Sequence, residues 1–311
     1  MESIQASLQS MMSGEKFVRQ YEKLKREILT DPLIGEFLQS KPHVSLDMLE
    51  RSLPKLDQYR KELSTCHNCP GLEKCTNLMQ GYRPNLVVEK KFVDIQFEVC
   101  EVKQKTDRQK KQQSLIKSLY IPKDILEARF ENFDKSEESR WPASAAALEF
   151  AMQADPGNRS MGLYLYGMFG VGKTYIMGAV ANALADRDIE TMLVYTPDFF
   201  REMKQSIGDG TVNEKLDRVK NAEVLILDDI GAESLSSWIR DDVLGVILQY
   251  RMLEKLPTLF TSNYSYEELE AHLSYSERGG FEQLKAKRIM ERIRHFTTPI
   301  FVEGSNRREK K

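Results

Sequence analysis

The fold of this chain is decided by the stretch Gly167-Met168-Phe169-Gly170-Val171-Gly172-Lys173-Thr174. The apolar run 162–166 precedes it and the apolar segment 175–184 follows it, which predicts a strand, a glycine loop and a helix. The spacing fits G-x-x-x-x-G-K-[ST], in which glycines let backbone N–H groups face phosphates and the helix N-terminus adds its dipole. The pattern predicts that Lys173 reaches the β- and γ-phosphates of a nucleotide and that Thr174 holds Mg²⁺. A chance glycine-rich turn is the alternative, and the filled fixed positions disfavour it.

Length and composition set the outer limits of the interpretation. The 311 residues favour about two domains, and a hydrophobic content of 41% supports a buried core. The net charge of −2 gives no overall basic field, so any nucleic-acid site must be local. The N-terminus has no apolar leader, and no run approaches the roughly 18 apolar residues of a membrane span. We therefore expect a cytoplasmic protein without a membrane partner.

A second motif lies at 224–229, where the apolar run Val-Leu-Ile-Leu precedes Asp228 and Asp229. Such a run predicts a buried parallel strand whose carboxyl end places two acids beside the phosphate loop. There Asp228 would hold Mg²⁺, directly or through water, and Asp229 would act as the base on the attacking water. The strand predicted at 258–263 ends at Asn263, which such a sheet would present to the γ-phosphate. The alternative is an ordinary buried strand followed by a helix cap.

These patterns predict an α/β fold with a parallel sheet flanked by helices in the C-terminal part, preceded by a small N-terminal helical domain. We expect the N-terminal domain at 1–105, a basic linker at 106–134 and the nucleotide-binding domain at 135–311. Helical spacing covers 14–63, where Asp31 and Pro32 form the cap and first turn of a new helix. The basic run of the linker is either solvated or contacts nucleic acid or a partner.

All of the cysteines lie in the first third of the chain: Cys66, Cys69, Cys75 and Cys100. In a cytoplasmic protein this clustering indicates a metal rather than disulfides. The C-x₂-C pair places two thiolates on one ion, and the two later cysteines would complete a tetrahedral Zn²⁺ site. The alternative is a set of reduced, buried thiols.

Together, the motifs resemble those of AAA+ ATPases, and more narrowly those of bacterial replicative helicase loaders of the DnaI and DnaC type. The segments that carry the resemblance are 167–174, 227–231, 261–263 and 288–293. The likeness to the DnaI type covers nearly the whole chain, including the cysteine-bearing region. It implies an AAA+ domain without a separate helical lid, whose ATP use and contact with single-stranded DNA control delivery of a helicase. The implied partners are the replicative helicase hexamer, other primosome proteins and further copies of the chain.

The resemblance also assigns residue roles. Asn263 would be the sensor of the γ-phosphate, and Arg292 the arginine finger that completes the site of a neighbouring subunit, with Arg288 as the competing candidate. Arg307 would be a second sensor that contacts the nucleotide. A finger stabilises charge in the transition state and is worth about 10³ to 10⁵ in rate.

The resemblance places candidate DNA contacts after the acid pair. Ser236, Ser237 and Trp238 lie where related loaders line a central pore, and Trp238 would stack on a base. Packing of Trp238 against the sheet is an equal alternative. Phe199 and Phe200 are weaker candidates, for which a place in the core is favoured.

Two departures from the family pattern matter. Asp229 stands where many AAA+ enzymes have glutamate, which leaves the rate of turnover open. Arg83 stands where some relatives have a histidine ligand, and because arginine cannot ligate zinc, Cys75 is taken as the fourth ligand.

Three further readings compete with the loader. A nucleotide-switched adaptor with little hydrolysis would tether the helicase to other replication proteins. An initiator of the DnaA type needs more chain after Arg292 than the sequence has. A transposition-helper ATPase shares the AAA+ core, but this cysteine-bearing region is not expected in it.

Overall fold

The computed structural model describes residues 15–133, 137–158, 160–233, 236–276 and 280–307, apart from the side chains of residues 15–17 and 276. The chain divides into two compact units, Met1–Gln109 and Lys110–Lys311. None of the helices in the described ranges combines the length and the apolar character needed to cross a bilayer.

The first unit combines short helices with one β-hairpin. Its elements are α1 (Glu15–Leu29), α2 (Pro32–Ser40), α3 (Leu46–Arg51), α4 (Leu53–His67), β1 (Tyr82–Glu89), β2 (Phe92–Val99) and the start of α5 (Glu101–Leu115). Asp31 caps α2 by accepting a hydrogen bond from the Leu33 N–H at 2.9 Å, and Pro32 opens that helix, as predicted. The antiparallel strands β1 and β2 bury Leu86 and Val93 against residues of α1, α2 and α4.

The second unit is built on a six-stranded sheet in which all neighbouring pairs are parallel. Its strands are β3 (Ile116–Leu119), β4 (Gly162–Tyr166), β5 (Thr191–Tyr195), β6 (Val224–Asp228), β7 (Thr258–Ser262) and β10 (Thr297–Phe301), and a two-stranded hairpin adds β8 (Tyr275–Ser276) and β9 (Gly280–Phe281). Its helices are the end of α5, α6 (Lys123–Leu126), α7 (Trp141–Gln153), α8 (Lys173–Ala185), α9 (Thr196–Asp209), α10 (Val212–Lys220), a π-helix (Ile239–Leu244), α11 (Gly245–Leu253), α12 (Tyr266–Ser274) and α13 (Gln283–Phe296). The strand order is β10-β4-β7-β6-β5-β3. The predicted α/β architecture is confirmed.

Alternation along the strands builds two cores, one on each face of the sheet. Leu225 and Leu227 of β6 face the core that is shared with α9, α10, the π-helix and α11 to α13. Val224 and Ile226 of the same strand face the opposite core, which is shared with α7 and α8. Because every residue of β6 is buried, the strand reads as a continuous apolar run.

The segment predicted as a linker has regular structure. Residues 101–115 form the single helix α5, and residues 116–119 form β3, which pairs in parallel with β5 at one edge of the sheet. Phe130 and Phe133 then pack against the core beneath α7 and α8. The structure therefore places the second half of the predicted linker inside the nucleotide-binding unit.

Candidate functional site

The site forms at the carboxyl ends of three adjacent strands. The order β4-β7-β6 places the loop after β4 on one side of β7 and the acid pair after β6 on the other. Ligands of open parallel sheets bind at this edge, near a point where the strand order reverses. Asn263, which directly follows β7, therefore stands between Lys173 and Asp229.

The glycines of the phosphate loop are required by its backbone. Gly167, Gly170 and Gly172 have φ values of 147°, 74° and 99°, a region that side chains with a Cβ rarely adopt. A Cβ on Gly170 would lie 1.8 Å from Oδ1 of Asn306, so the C-terminal segment packs closely on the loop. The loop is thus shaped to present backbone N–H groups at the start of α8.

Lys173 is held on the loop side of the site. Its side chain is buried, and Nζ donates hydrogen bonds to the carbonyl oxygens of Gly167 at 2.8 Å and Met168 at 2.9 Å. Nζ also donates to Oδ1 of Asn263 at 2.8 Å. The structure therefore brings together Lys173 and Asn263, two residues that the sequence motifs single out.

Thr174 and Asp228 form the second contact of the site. The Thr174 hydroxyl donates to the two carboxylate oxygens of Asp228, at 2.9 and 3.1 Å, and Thr261 Oγ1 donates to Asp228 at 2.6 Å. Burial raises the pKa of the Asp228 carboxyl to about 6, although both hydroxyls oppose that shift. A hydroxyl beside a carboxylate is an oxygen pair suited to Mg²⁺.

Asp229 has a strained backbone that two hydrogen bonds fix. Its φ is 59°, which is uncommon for a residue with a Cβ. Its N–H donates to Thr261 Oγ1 at 2.8 Å, and its Oδ1 accepts from Asn263 Nδ2 at 2.9 Å. One amide side chain therefore contacts both the lysine and the second acid.

An apolar cavity of about 360 Å³ adjoins the loop, and the sequence reasoning missed it. Part of its wall is aromatic: Phe133 lies 5.2 Å from Phe130 and 5.3 Å from Tyr175 between ring centroids, and Trp141 also lines it. Arg307 lines the same cavity, and its backbone N–H donates to the Gly170 carbonyl at 3.0 Å. The size and lining suit a planar base beside the phosphate loop.

A half-buried carboxylate near the acid pair was also missed. Glu233 Oε1 accepts a hydrogen bond from the Gly231 N–H at 3.4 Å, and Oε2 is buried without a partner in the described part of the chain. Burial raises the pKa of Glu233 to about 7, and the negative charge of Asp229 adds to that shift. No sequence motif marks this position, because the shift comes from the tertiary environment.

The candidate arginines lie in different environments. Arg292 on α13 is half-buried, and its Nη1 donates to the Gly245 carbonyl at 2.8 Å, whereas Arg288 is exposed. Arg251 on α11, the helix that precedes β7, is fully buried and donates to Thr258 and to the carbonyls of residues 220, 222 and 257. Arg251 is therefore a structural residue.

The candidate DNA contacts are only partly accessible. Trp238 is half-buried and packs against the core, and Ser236 Oγ accepts from the Ile239 N–H at 3.3 Å. Phe199 and Phe200 are 1% and 2% exposed, so the core interpretation is correct for both.

The zinc prediction finds no support in the geometry. Within the ranges that the structure describes, no three histidine, cysteine, aspartate or glutamate side chains are grouped to hold a metal ion. Cys69 is exposed and the other three cysteines are half-buried. Cys66 accepts a hydrogen bond from Asn77 Nδ2 at 3.2 Å, and Cys100 accepts from the Lys103 N–H at 3.4 Å, so these thiols have neutral partners.

Two known protein families match the chain, one in its N-terminal part and one in its C-terminal part. The family described as primosomal protein DnaI N-terminus matches residues 1–97, and the family described as IstB-like ATP binding protein matches residues 79–311. The chain is 45% identical over 309 residues to the replicative helicase loader DnaI of Bacillus subtilis, with 99% of each protein covered.

Solved structures of other proteins also match part of this chain. A crystal structure of DnaI, 49% identical, matches 63% of this chain and 99% of its own length with a TM-score of 0.56. A structure of the DnaC helicase loader, 24% identical, matches 58% of this chain with a TM-score of 0.50 and shows the same fold. The chain combines a DnaI-type N-terminal region with an ATP-binding domain of the IstB-like type. It therefore belongs to the DnaI family of helicase loaders.

Proposed function

We propose that this protein is an ATPase that loads the replicative DNA helicase onto single-stranded DNA during initiation or restart of replication. The observation that carries the proposal is the set of hydrogen bonds through Asn263, which joins Lys173 to Asp229 beside the Thr174–Asp228 pair. Near full-length similarity to a protein named as a replicative helicase loader supports the biological role.

ATP would bind along residues 167–174, with its phosphates on the loop N–H groups. Lys173 would exchange its two loop carbonyls for the β- and γ-phosphates, which offer an ammonium group stronger, charged acceptors. The base would occupy the cavity lined by Phe133, Trp141 and Tyr175, and Arg307 at its rim would contact the nucleotide. Thr174 and Asp228 would hold Mg²⁺, which supplies charge neutralisation of the phosphates.

The remaining steps of hydrolysis would depend on Asp229, Asn263 and Arg292. Asp229 would orient and deprotonate the attacking water, and the hydrogen bond from Asn263 keeps its carboxylate at the γ-phosphate side of the site. Asn263 also contacts Lys173, so loss of the γ-phosphate would change both contacts of one side chain. Arg292 would act on the nucleotide of a neighbouring copy, which makes turnover dependent on assembly.

The proposed partners follow from the family. The N-terminal unit would bind the replicative helicase hexamer, and other primosome proteins would recruit the complex. Single-stranded DNA would contact the segment that contains Ser236 and Trp238. Such contact would use the exposed part of the indole ring, on which a base can stack.

The test is ATP turnover by the full-length chain, alone and with its cognate helicase and a single-stranded oligonucleotide. We expect stimulation by the two partners, and its loss in Lys173→Ala and Arg292→Ala. Arg294→Ala, two residues further along α13, is the matched control and should keep the stimulation. The amount of helicase retained on DNA should fall in Lys173→Ala and Arg292→Ala and stay unchanged in Arg294→Ala. Full loading by Lys173→Ala would contradict the proposal, and binding without turnover under every condition would favour the nucleotide-switched adaptor.

A structural zinc in the N-terminal unit is a separate proposal. It is supported by the C-x₂-C spacing of Cys66 and Cys69 in the sequence. Metal analysis of protein purified without chelator should find one zinc per chain, lost in Cys69→Ser. Protein without zinc would leave reduced thiols as the correct interpretation.

A further inference from the structure

The guanidinium of Arg292 is anchored inside its own chain. Its Nη1 donates to the carbonyl of Gly245 at 2.8 Å. Gly245 is the residue at which the π-helix Ile239–Leu244 gives way to α11, and its N–H donates to the carbonyl of Arg240, five residues earlier. Single π turns are rare in proteins and are often found at functional sites.

Gly245 also packs closely on the π turn and on α13, the helix that carries Arg292. A Cβ at this position would lie 3.3 Å from the Arg240 carbonyl oxygen, 3.3 Å from Cδ1 of Ile289 and 3.5 Å from Nη1 of Arg292. The two distances of 3.3 Å are tighter than most Cβ contacts, so the Arg240 carbonyl and the Ile289 side chain of α13 would each have to give by a few tenths of an ångström, whereas 3.5 Å from Nη1 of Arg292 is ordinary contact. An alanine at position 245 would therefore press on the π turn and on α13, the helix that carries Arg292.

Arg240 ties the same turn to the start of α13. It is 1% exposed and donates to the carboxylate of Asp241 at 2.8 and 3.0 Å, to Glu282 at 2.7 Å and to the Leu273 carbonyl at 3.2 Å. Lys285 of α13 pairs with both carboxylates, at 3.1 Å to Asp241 and 2.7 Å to Glu282. Charge-assisted bonds of this kind are strong when they are removed from water.

The turn continues directly into the candidate DNA contacts. The N–H groups of Ile239 and Arg240 donate to the side chain and the carbonyl of Ser236, at 3.3 and 3.0 Å. Ser236 is therefore joined to Arg292 by hydrogen bonds through one π turn, and Trp238 directly precedes that turn. These bonds form a continuous path from Ser236 to the guanidinium.

We infer that Gly245 and Arg240 are positioning residues for Arg292, and that contact of single-stranded DNA with the segment 236–238 reaches the finger through the π turn. This inference rests on the proposed function and names the way in which DNA regulates it. The mechanism requires the turn to change its hydrogen bonding when DNA binds, since a ligand can shift only an element for which it has differential affinity.

The experiment compares Gly245→Ala with Gly208→Ala in the full-length chain. Gly208 lies on α9, where an added Cβ meets nothing within 4 Å, so it controls for the insertion of a methyl group into a helix. ATP turnover is measured with helicase, with and without an oligothymidine, and nucleotide affinity is measured separately. We expect Gly245→Ala to lower DNA-stimulated kcat at least about tenfold, because small misplacements of a charged group cost one to two orders of magnitude in rate. Nucleotide affinity should stay within about twofold, and Gly208→Ala should match the wild type.

The double variant Gly245→Ala with Arg292→Ala distinguishes positioning from general damage. If Gly245 acts through Arg292, the double variant has the kcat of Arg292→Ala alone. If the two losses multiply, or if Gly245→Ala keeps full stimulation while Arg292→Ala loses it, the positioning inference is wrong. If Arg292→Ala itself keeps full stimulation, the proposed finger is wrong, and the inference falls with it.

The second arm tests the DNA path with Glu282→Gln, which weakens the tie of Arg240 to α13. We expect the ratio of turnover with DNA to turnover without DNA to fall by at least about threefold, while DNA affinity is kept. Glu303→Gln, outside this network, should leave the ratio unchanged. An unchanged ratio in Glu282→Gln would overturn the role of Arg240.

Discussion

Thr261 is the residue on which both acids of the site depend. Its hydroxyl donates to Asp228 and accepts from the N–H of Asp229, so one oxygen fixes the carboxylate proposed to hold Mg²⁺ and the strained backbone beside it. Its position is 1% exposed, where water cannot replace either bond.

Thr261→Val is therefore predicted to reduce turnover more than binding. The valine keeps the shape of the side chain but leaves a buried N–H unsatisfied, at a cost of about 1 to 3 kcal/mol in unfolding free energy. We expect kcat to fall by about tenfold or more while nucleotide affinity changes little, because the loop and Lys173 are untouched. Single-turnover kinetics and nucleotide titration measure the two effects. Equal losses in both would contradict this assignment.

Glu233 gives a pH-dependent prediction. Its pKa in the folded protein is about 7 against a reference of 4.5, so the folded form holds this proton more tightly than the unfolded chain. Its contribution to stability is full below pH 4.5 and is lost as the pH rises through about 7. Glu233→Gln should therefore gain about 2 to 3 kcal/mol relative to the wild type between pH 4.5 and 8. Urea unfolding at both pH values measures the gain, and the exposed Glu214→Gln should not show it.

The polar centre of the site was readable from the sequence, and its surroundings were not. Lys173, Asp228 and Asn263 each lie at or after the carboxyl end of a strand that the apolar pattern marks, so a parallel sheet gathers them at one edge. The aromatic cavity depends on contacts between distant segments, and the burial that raises the pKa of Glu233 is not encoded by local spacing either.

At the scale of elements, the close approach of α6 to α8 shows how the segment before α7 belongs to the nucleotide-binding unit. Gly178 of α8 lies beneath the backbone of Ile125, and a Cβ there would be 2.1 Å from the Ile125 carbonyl oxygen. The neighbouring Asn182 donates to the carbonyls of Leu126 and Ala128, both at 2.9 Å. The segment is thus held on the helix that carries the phosphate loop.

Gly178→Ala is predicted to destabilise this unit by about 1 to 3 kcal/mol, because a backbone atom cannot move aside as a flexible side chain would. Gly208→Ala, on an open helix face, should instead be neutral or stabilise by up to about 1 kcal/mol. Thermal unfolding of the two variants measures the contrast. Equal melting temperatures would show that α6 does not pack on α8 in solution.

The elements were predicted where the apolar pattern is long and missed where it is short. The strands β4, β6 and β7 lie close to their predicted positions. Strand β3 has only four residues, and one of them is lysine, so its pattern does not distinguish it from a solvated basic run. Its pairing with β5 is what makes it a strand.

At the scale of the whole molecule, the boundary between the units falls inside α5. None of the residues of α5 is buried, although its last turns are held by Lys111 to Asp188 and by Gln112 to Asp186. A solvated helix without a buried face opens locally at little cost.

Trypsin under native conditions is therefore predicted to cut first after Lys105, Arg108 or Lys110, which yields two folded fragments. The larger fragment should retain nucleotide binding, since every residue of the phosphate loop lies in it. Mass spectrometry of the early products identifies the sites. Early cleavage within 116–133 would contradict the placement of β3 in the sheet.

The edge strand β3 is also expected to determine whether fragments of the nucleotide-binding unit stay soluble. Without β3, the backbone N–H and C=O groups of β5 would face solvent along Thr191–Tyr195, in which four of the five residues are buried and apolar side chains predominate. A bare apolar edge of this kind is a template for intermolecular strand pairing. A fragment that starts at residue 135, the boundary suggested by the sequence, should therefore aggregate, whereas one that starts at residue 110 keeps the edge covered and should stay monodisperse.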